Sequence, residues 1–314
     1  MQISNSCVRL KSGDFMKNKF LGTVYLTVAV LIWGSTFVAQ SMGMDLIGPF
    51  TFQTCRCILA VAFLVPAIAV FERQDLKRYG HKWLDKKLWF AGTLCGIALF
   101  AAASLQQVSL VHTDAGKAGF LTALYVVLVP VIGLFYGKKL RVHVAISIVM
   151  AVIGSYLLAD IQGGSINRYD LMLLGCALCF SVQITLVDRY APVVDCLRLN
   201  CIQCFVTLVL SGIAMLLTEK PQMDAIASCW LPLGYAGILS MGVAYSLQIL
   251  GQEKVEPTTA SIIMSMESVI AVLSGWLVLH ETMSTKELIG CAVMFVALIL
   301  SQIPFPGKNK AWAL

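Results

Sequence analysis

Apolar residues run through this chain in long unbroken blocks, without the one-sided stripe of a surface helix or the alternation of a half-buried strand. Ten blocks stand out, at 20–40, 49–71, 88–106, 115–136, 142–159, 170–188, 197–217, 230–250, 257–279 and 287–303. A bilayer core of roughly 30 Å needs about 20 apolar residues per helix. The pattern therefore predicts an all-α integral membrane protein of ten transmembrane helices, with connections too short to hold a separate soluble domain. The first block is too long for a secretion signal, lacks a small-residue cleavage site and is followed by more blocks, so it reads as a retained helix. Residues 1–19 and 304–314 read as polar tails. Met16 opens the more natural start MKNKFLG, so residues 1–15 are expected to be an over-long gene model or a tail without structure.

Composition agrees with that class. The chain is 58% hydrophobic and 13% charged with a mean hydropathy of +0.81, whereas a soluble domain is about a quarter charged. The net charge of +6 is explained by topology. Eighteen Lys and Arg fall on one side of the ten-span plan and three on the other, with Arg56 and Lys117 inside blocks. By the positive-inside rule both termini are cytoplasmic, and nucleic acid is not an expected partner. Ten of eleven cysteines lie in or at the ends of the blocks, where cysteine behaves as a small hydrophobe. Cys201 and Cys204 form a lone CxxC pair without histidines nearby, so no metal site is expected.

The chain also repeats itself. Ser104, Leu105 and Gln106 recur as Ser246, Leu247 and Gln248, an offset of 142 that also carries Ala118 onto Ala260, Gly133 onto Gly275 and the Lys138/Lys139 turn onto His280/Glu281. Two five-helix repeats, 20–159 and 169–303, are expected. Five is odd, so the second repeat enters the membrane from the opposite side and the two are inverted. Inverted repeats let related units rock about one cavity and open it to either face, an architecture shared by many secondary transporters.

Several stretches resemble one family. They are LIWGSTFVAQ (31–40), the arginine of TCRCILA (54–60), TDAGKAGFLTALYVVLVPVIG (113–133) and SMESVIAVLSGWLVLHETMSTKELIG (265–290). Together they resemble the EamA family of the drug/metabolite transporter superfamily over essentially all of Lys17 to Gln302. His280 stands where that family usually has glycine, and Lys138–Lys139 at the equivalent turn; both touch only a turn. The resemblance implies a secondary transporter, commonly an exporter, of amino acids, other metabolites, amines or drugs, in a bacterial cytoplasmic membrane.

Polar residues inside the blocks are the site candidates, because each is costly in hydrocarbon. Arg56 lies seven residues past Pro49, roughly 10 Å into the membrane at about 1.5 Å per residue. Three roles are open to it: contact with an anionic substrate group, a structural tie to carbonyls or an acidic partner, and snorkelling to headgroups. The resemblance favours the structural tie. Glu267 sits near the midplane, as a partner for Arg56, for a cationic substrate, or for a coupling proton, since burial disfavours the charged form of a carboxylate. Gln106, Gln248 and Gln183 offer neutral hydrogen bonds that repeat symmetry brings toward the interface of the halves. Trp33, Tyr125 and Tyr245 are candidates for the wall of an amphipathic cavity, with ordinary packing as their alternative. Lys117 reads as a headgroup anchor, and Gly92-x-x-x-Gly96 and Gly133-x-x-x-Gly137 as sites of close helix packing.

Absent motifs narrow the energy source. GLFYGKK (133–139) has three residues where a phosphate loop needs four and no Ser or Thr after the lysine, and HETMS (280–284) lacks the second histidine of a zinc protease. Neither ATP hydrolysis nor other catalysis is expected, and no cofactor. A small-molecule substrate, the lipid bilayer, and protons or another coupling ion are the expected partners. A membrane-embedded lipid-translocating protein or enzyme is the main alternative, and a receptor or assembly subunit the third.

Overall fold

A computed structural model of the chain describes residues 12–74, 82–113, 115–137, 140–158, 167–278 and 284–302. The regular structure among them is helical. In order come α1 (Ser12–Met44), α2 (Pro49–Gln74), a short turn at Lys82–Leu84, α3 (Lys86–Leu110), α4 (Ala115–Ala123), α5 (Tyr125–Phe135), α6 (Val142–Leu158), α7 (Arg168–Tyr190) and α8 (Cys196–Thr218). Then follow α9 (Met223–Ser228), α10 (Trp230–Gly234), a π-helical segment (Tyr235–Ala244), α11 (Tyr245–Gln252), α12 (Pro257–Ser265), α13 (Glu267–Val278) and α14 (Thr285–Gln302). Polar starts define several of these. Asp85 Oδ1 accepts from Lys87 N at 2.8 Å, Asn167 and Asp170 form a reciprocal capping box, and Asp195 Oδ1 accepts from Arg198 N at 3.0 Å.

Eight of the apolar stretches among the described residues are long enough to cross a membrane, and two shorter apolar helices, Val142–Leu157 and Leu288–Ser301, fall on the fifth and tenth blocks. The chain is a multi-pass membrane protein. Its surface is apolar, with Phe135, Val142 and Leu217 largely exposed, while Arg56, Arg198, Glu267 and eight glutamines are buried inside. This inversion of a soluble protein follows from the solvent: hydrocarbon cannot hydrogen-bond, so polar groups gather where they can satisfy one another.

Two breaks did not follow from apolar block length. The fourth block is interrupted at Leu124, between α4 and α5, and the ninth at Met266, between α12 and α13. These positions are 142 apart, the offset of the sequence repeat. The eighth block is not a plain helix either, since its middle winds with the wider i→i+5 turn and Tyr245 N bonds Ser240 O.

Small residues set the closest helix contacts. A side chain at Gly96 would lie 3.0 Å from Gln203 O on α8, and one at Gly237 would lie 2.8 Å from Arg56 O on α2. The Gly92/Gly96 pair thus packs α3 against α8 as its spacing predicts. Gly133/Gly137 does not: Gly137 has φ +75°, with no atom within 4 Å of a would-be Cβ, and serves as the left-handed residue that ends the turn after α5. The tail residues 1–11 and 303–314, the Lys138/Lys139 and His280/Glu281 turns and the Lys117 side chain lie outside the described residues.

At one end of the bundle α8 and α2 are strapped together. Glu219, just past α8, accepts from Phe50 N and Thr51 N at 2.8 Å each and from Thr51 Oγ1 at 2.6 Å. The carboxylate thereby caps the first turn of α2, where the helix dipole favours negative charge. Glu219→Ala is expected to lower stability by about 1 kcal/mol, seen as a lower unfolding midpoint in detergent, with Glu219→Gln between the two. An unchanged midpoint for Glu219→Ala would contradict the strap.

Candidate functional site

The two helix breaks meet at the centre of the bundle. Tyr125 is the first residue of α5 and Glu267 the first of α13, so both stand where a helix restarts. Tyr125 Oη donates to Glu267 Oε1 at 3.1 Å, with both side chains buried. Their equivalence by the offset of 142 means that one hydrogen bond joins corresponding points of the two halves.

Beside this bond lies a cavity of about 50 Å³, enough for a few waters at roughly 10–15 Å³ each. Seven of the eight sequence candidates line it: Trp33, Arg56, Gln106, Tyr125, Tyr245, Gln248 and Glu267. Trp33 meets Tyr245 edge-on at 4.9 Å, and Tyr125 meets Phe180 at 6.5 Å, giving the cavity an aromatic wall. Gln106 Nε2 donates to Thr122 Oγ1 at 3.4 Å. Gln183 is the exception. It is fully buried behind the wall and accepts from Gln248 Nε2 at 3.2 Å.

Arg56 is 4% exposed, so it does not snorkel to headgroups. Its Nη1 donates to Gln40 Oε1 at 3.0 Å, its Nη2 donates to Gln53 Oε1, and its guanidinium lies 5.8 Å from the Phe52 ring. An ion pair with Glu267, one of the roles open to both residues, is not formed. Each charge has neutral partners of its own, glutamines for Arg56 and a phenol for Glu267, and the two face the cavity separately. Arg56 also has a counterpart that the offset of 142 carries to Arg198 on α8. Arg198 is 1% exposed, its Nη1 lies 3.1 Å from Asp195 Oδ2, and Trp83 stands 5.4 Å away. The carboxylate of Asp195 occupies the position equivalent to Gln53. One arginine is thus paired with a carboxylate at the start of its own helix, while the other is held by neutral amides.

Gln40, Thr36 and Ser240 also line the cavity and were not singled out from sequence. Gln40 falls within LIWGSTFVAQ, so its signal was that motif; the other two are small hydroxyls, which a membrane helix tolerates anywhere. Three buried polar atoms of the lining lack a protein partner: Trp33 Nε1, Arg56 Nε and Gln248 Oε1. The first two are donors on α1 and α2, the third an acceptor on α11. Because Arg56 and Glu267 are not in contact, Arg56→Gln and Glu267→Gln are expected to change stability additively within about 0.5 kcal/mol, while Tyr125→Phe and Glu267→Gln share a hydrogen bond and are expected to be non-additive. Unfolding midpoints of the single and double variants check this.

Known proteins resemble the chain over nearly its full length. A transporter of Archaeoglobus fulgidus, named only as uncharacterized, is 30% identical over 298 residues, 94% of this chain and 90% of that protein. The threonine/homoserine exporter RhtA of Escherichia coli K12 is 25% identical over 307 residues, 93% of this chain and 94% of that one. The transporter YoaV of Bacillus subtilis, also uncharacterized, is 22% identical over 94% of this chain. A crystal structure of 20% identity superposes with a TM-score of 0.75 over 90% of this chain and 96% of its own, and so shares the fold. The EamA-like transporter family matches residues 20–159 and again residues 167–302, and the chain belongs to that family.

Proposed function

We propose that the protein is a secondary transporter that exports small metabolites across the cytoplasmic membrane by alternating access, with small zwitterions such as amino acids as its first candidate substrates. The observation that carries this reading is that both hydrogen-bond donors and acceptors line one buried cavity. Donors stand on α1 and α2, at Trp33 Nε1 and Arg56, and acceptors on α11 and α13, at Gln248 Oε1 and Glu267. A substrate carboxylate suits the donors and an ammonium the acceptors. The name of the related threonine/homoserine exporter RhtA agrees with such a ligand.

The reading includes ten membrane helices in two inverted repeats, 20–159 and 169–303, with the tails 1–19 and 304–314 and both termini in the cytoplasm. Support comes from packing partners that exchange between the halves. Helix α3 packs on α7 and α8, as α11 and the π segment pack on α1 and α2, while α2 with α8 and α6 with α14 pair with their own equivalents. Broken helices at corresponding points of two repeats mark transporter binding sites. The coupling partner is a proton or another ion. If Glu267 holds the substrate's ammonium in one half of the cycle and a proton in the other, export is tied to proton entry.

Counterflow of labelled L-threonine, L-homoserine, amines and organic acids into proteoliposomes tests the reading. Amino acid exchange is expected, with Glu267→Gln and Arg56→Gln each reducing it by about tenfold or more, the worth of one charged hydrogen bond. Flux of amines alone, insensitive to Arg56→Gln, would contradict the zwitterion. No flux of any compound would contradict transport of these classes.

A further inference from the structure

Behind the cavity wall runs a chain of buried amides of which the transport reading uses only the first, Gln248. Gln248 Nε2 donates to Gln183 Oε1 at 3.2 Å, Gln183 Nε2 to Gln203 Oε1 at 3.3 Å, and Gln203 Nε2 to Asn200 Oδ1 at 2.8 Å. Asn200 Nδ2 then ends the chain on Met241 O and Gly242 O at 3.0 Å each and on Ser246 Oγ at 2.8 Å. Of the four amides only Gln248 lines the cavity; Gln183, Gln203 and Asn200 are wholly buried.

The polarity of such a chain is set where it ends. An amide can present either its NH₂ or its carbonyl, but backbone carbonyls only accept. Asn200 lies against two of them, in the π segment, and its third contact, Ser246 Oγ, is itself donating to Gly242 O at 2.7 Å. Asn200 must therefore turn its NH₂ to that segment and its Oδ1 to Gln203. Each amide passes the same sense to the next. At the far end Gln248 has given its NH₂ to Gln183, and Oε1 is the atom it is left with, without a protein partner.

We infer that Asn200, Gln203 and Gln183 are positioning residues that hold the Gln248 carbonyl ready to accept a hydrogen bond from the substrate, and that they tie this acceptor to the π segment. Repetition of the fold does not require the chain, because the offset of 142 places Asn200 and Gln203 on apolar Ile58 and Val61. It is a feature of the second half alone. The consequence is selectivity: a donor such as a substrate ammonium is accepted at Gln248, and a group that only accepts is refused. This rests on the transport reading for the identity of the donor, while the amide chain itself stands on geometry.

The test uses the purified full-length protein with ¹⁵N-labelled glutamine and asparagine side chains, and reads hydrogen exchange of each side-chain NH₂ beside calorimetric binding of L-threonine. Gln183→Met and Gln248→Met assign the signals. In Gln203→Leu, whose native side chain hydrogen-bonds Gln183 and Asn200 rather than Gln248, exchange at the Gln248 NH₂ is expected to rise about tenfold or more and L-threonine binding to weaken by about tenfold. Gln203→Glu still accepts from Gln183 and, when protonated, donates to Asn200, so it is expected to restore both toward wild type. Where Gln203→Leu does not fold, Asn200→Ala removes the anchoring end and is expected to give the same loss. Unchanged exchange at Gln248, or equal change in the leucine and glutamate variants, overturns the inference. L-threonine that fails to bind the wild-type protein counts against the substrate reading only, since the exchange measurement still decides the amide chain.

Discussion

The hydrogen bond from Tyr125 to Glu267 is the contact around which the interior is arranged. A carboxylate at membrane depth must find a donor or water, and a broken helix must find partners for its freed backbone groups. The second need arises twice, at Leu124 and at Met266, and the first once, at Glu267; the bundle meets them by bringing the two breaks together, so that the phenol at one serves the carboxylate at the other. Cavity, aromatic wall and unpaired polar atoms then collect at that meeting point, because it is where backbone regularity has already been given up. The same physics keeps the outer surface apolar.

The two halves have diverged in how they treat charge. Arg198 pairs with Asp195, and Arg56 has Gln53 at the equivalent place. Removing a single carboxylate from one repeat leaves one buried guanidinium held by amides, which orient it without neutralising it. The amide chain from Asn200 to Gln248 is a second asymmetry, built where the first half carries Ile58 and Val61. The two family-matched halves thus share their sequence pattern, while polar groups at the cavity such as Tyr125 and Glu267 lie where they depart from one another.

Much of this was legible in the sequence. The apolar blocks give the helices, since hydrocarbon thickness fixes their length, and seven of the eight candidates chosen for being polar or aromatic inside those blocks line one cavity. Cost in hydrocarbon is a strong filter, so a polar residue there is rarely idle. The breaks at Leu124 and Met266 and the π segment were not legible, because no proline or glycine marks either break and apolar blocks look alike whether continuous or not. Which of the roles open to Arg56 and Glu267 they take was not legible for a related reason. Opposite charges invite pairing in the abstract, but Gln40, Gln53 and Tyr125 were nearer, and neutral partners suffice.

Access to the cavity from both faces of the membrane is the central claim, and thiol labelling tests it most directly. Ser240 lines the cavity and is 4% exposed. With the native cysteines replaced, Ser240→Cys would be treated with a membrane-impermeant maleimide in vesicles of each orientation. Labelling from both faces, with rates shifted in opposite directions by an amino acid gradient, is the expected result. Labelling from one face only, or from neither while the protein remains folded, would contradict a cavity that opens alternately to the two sides.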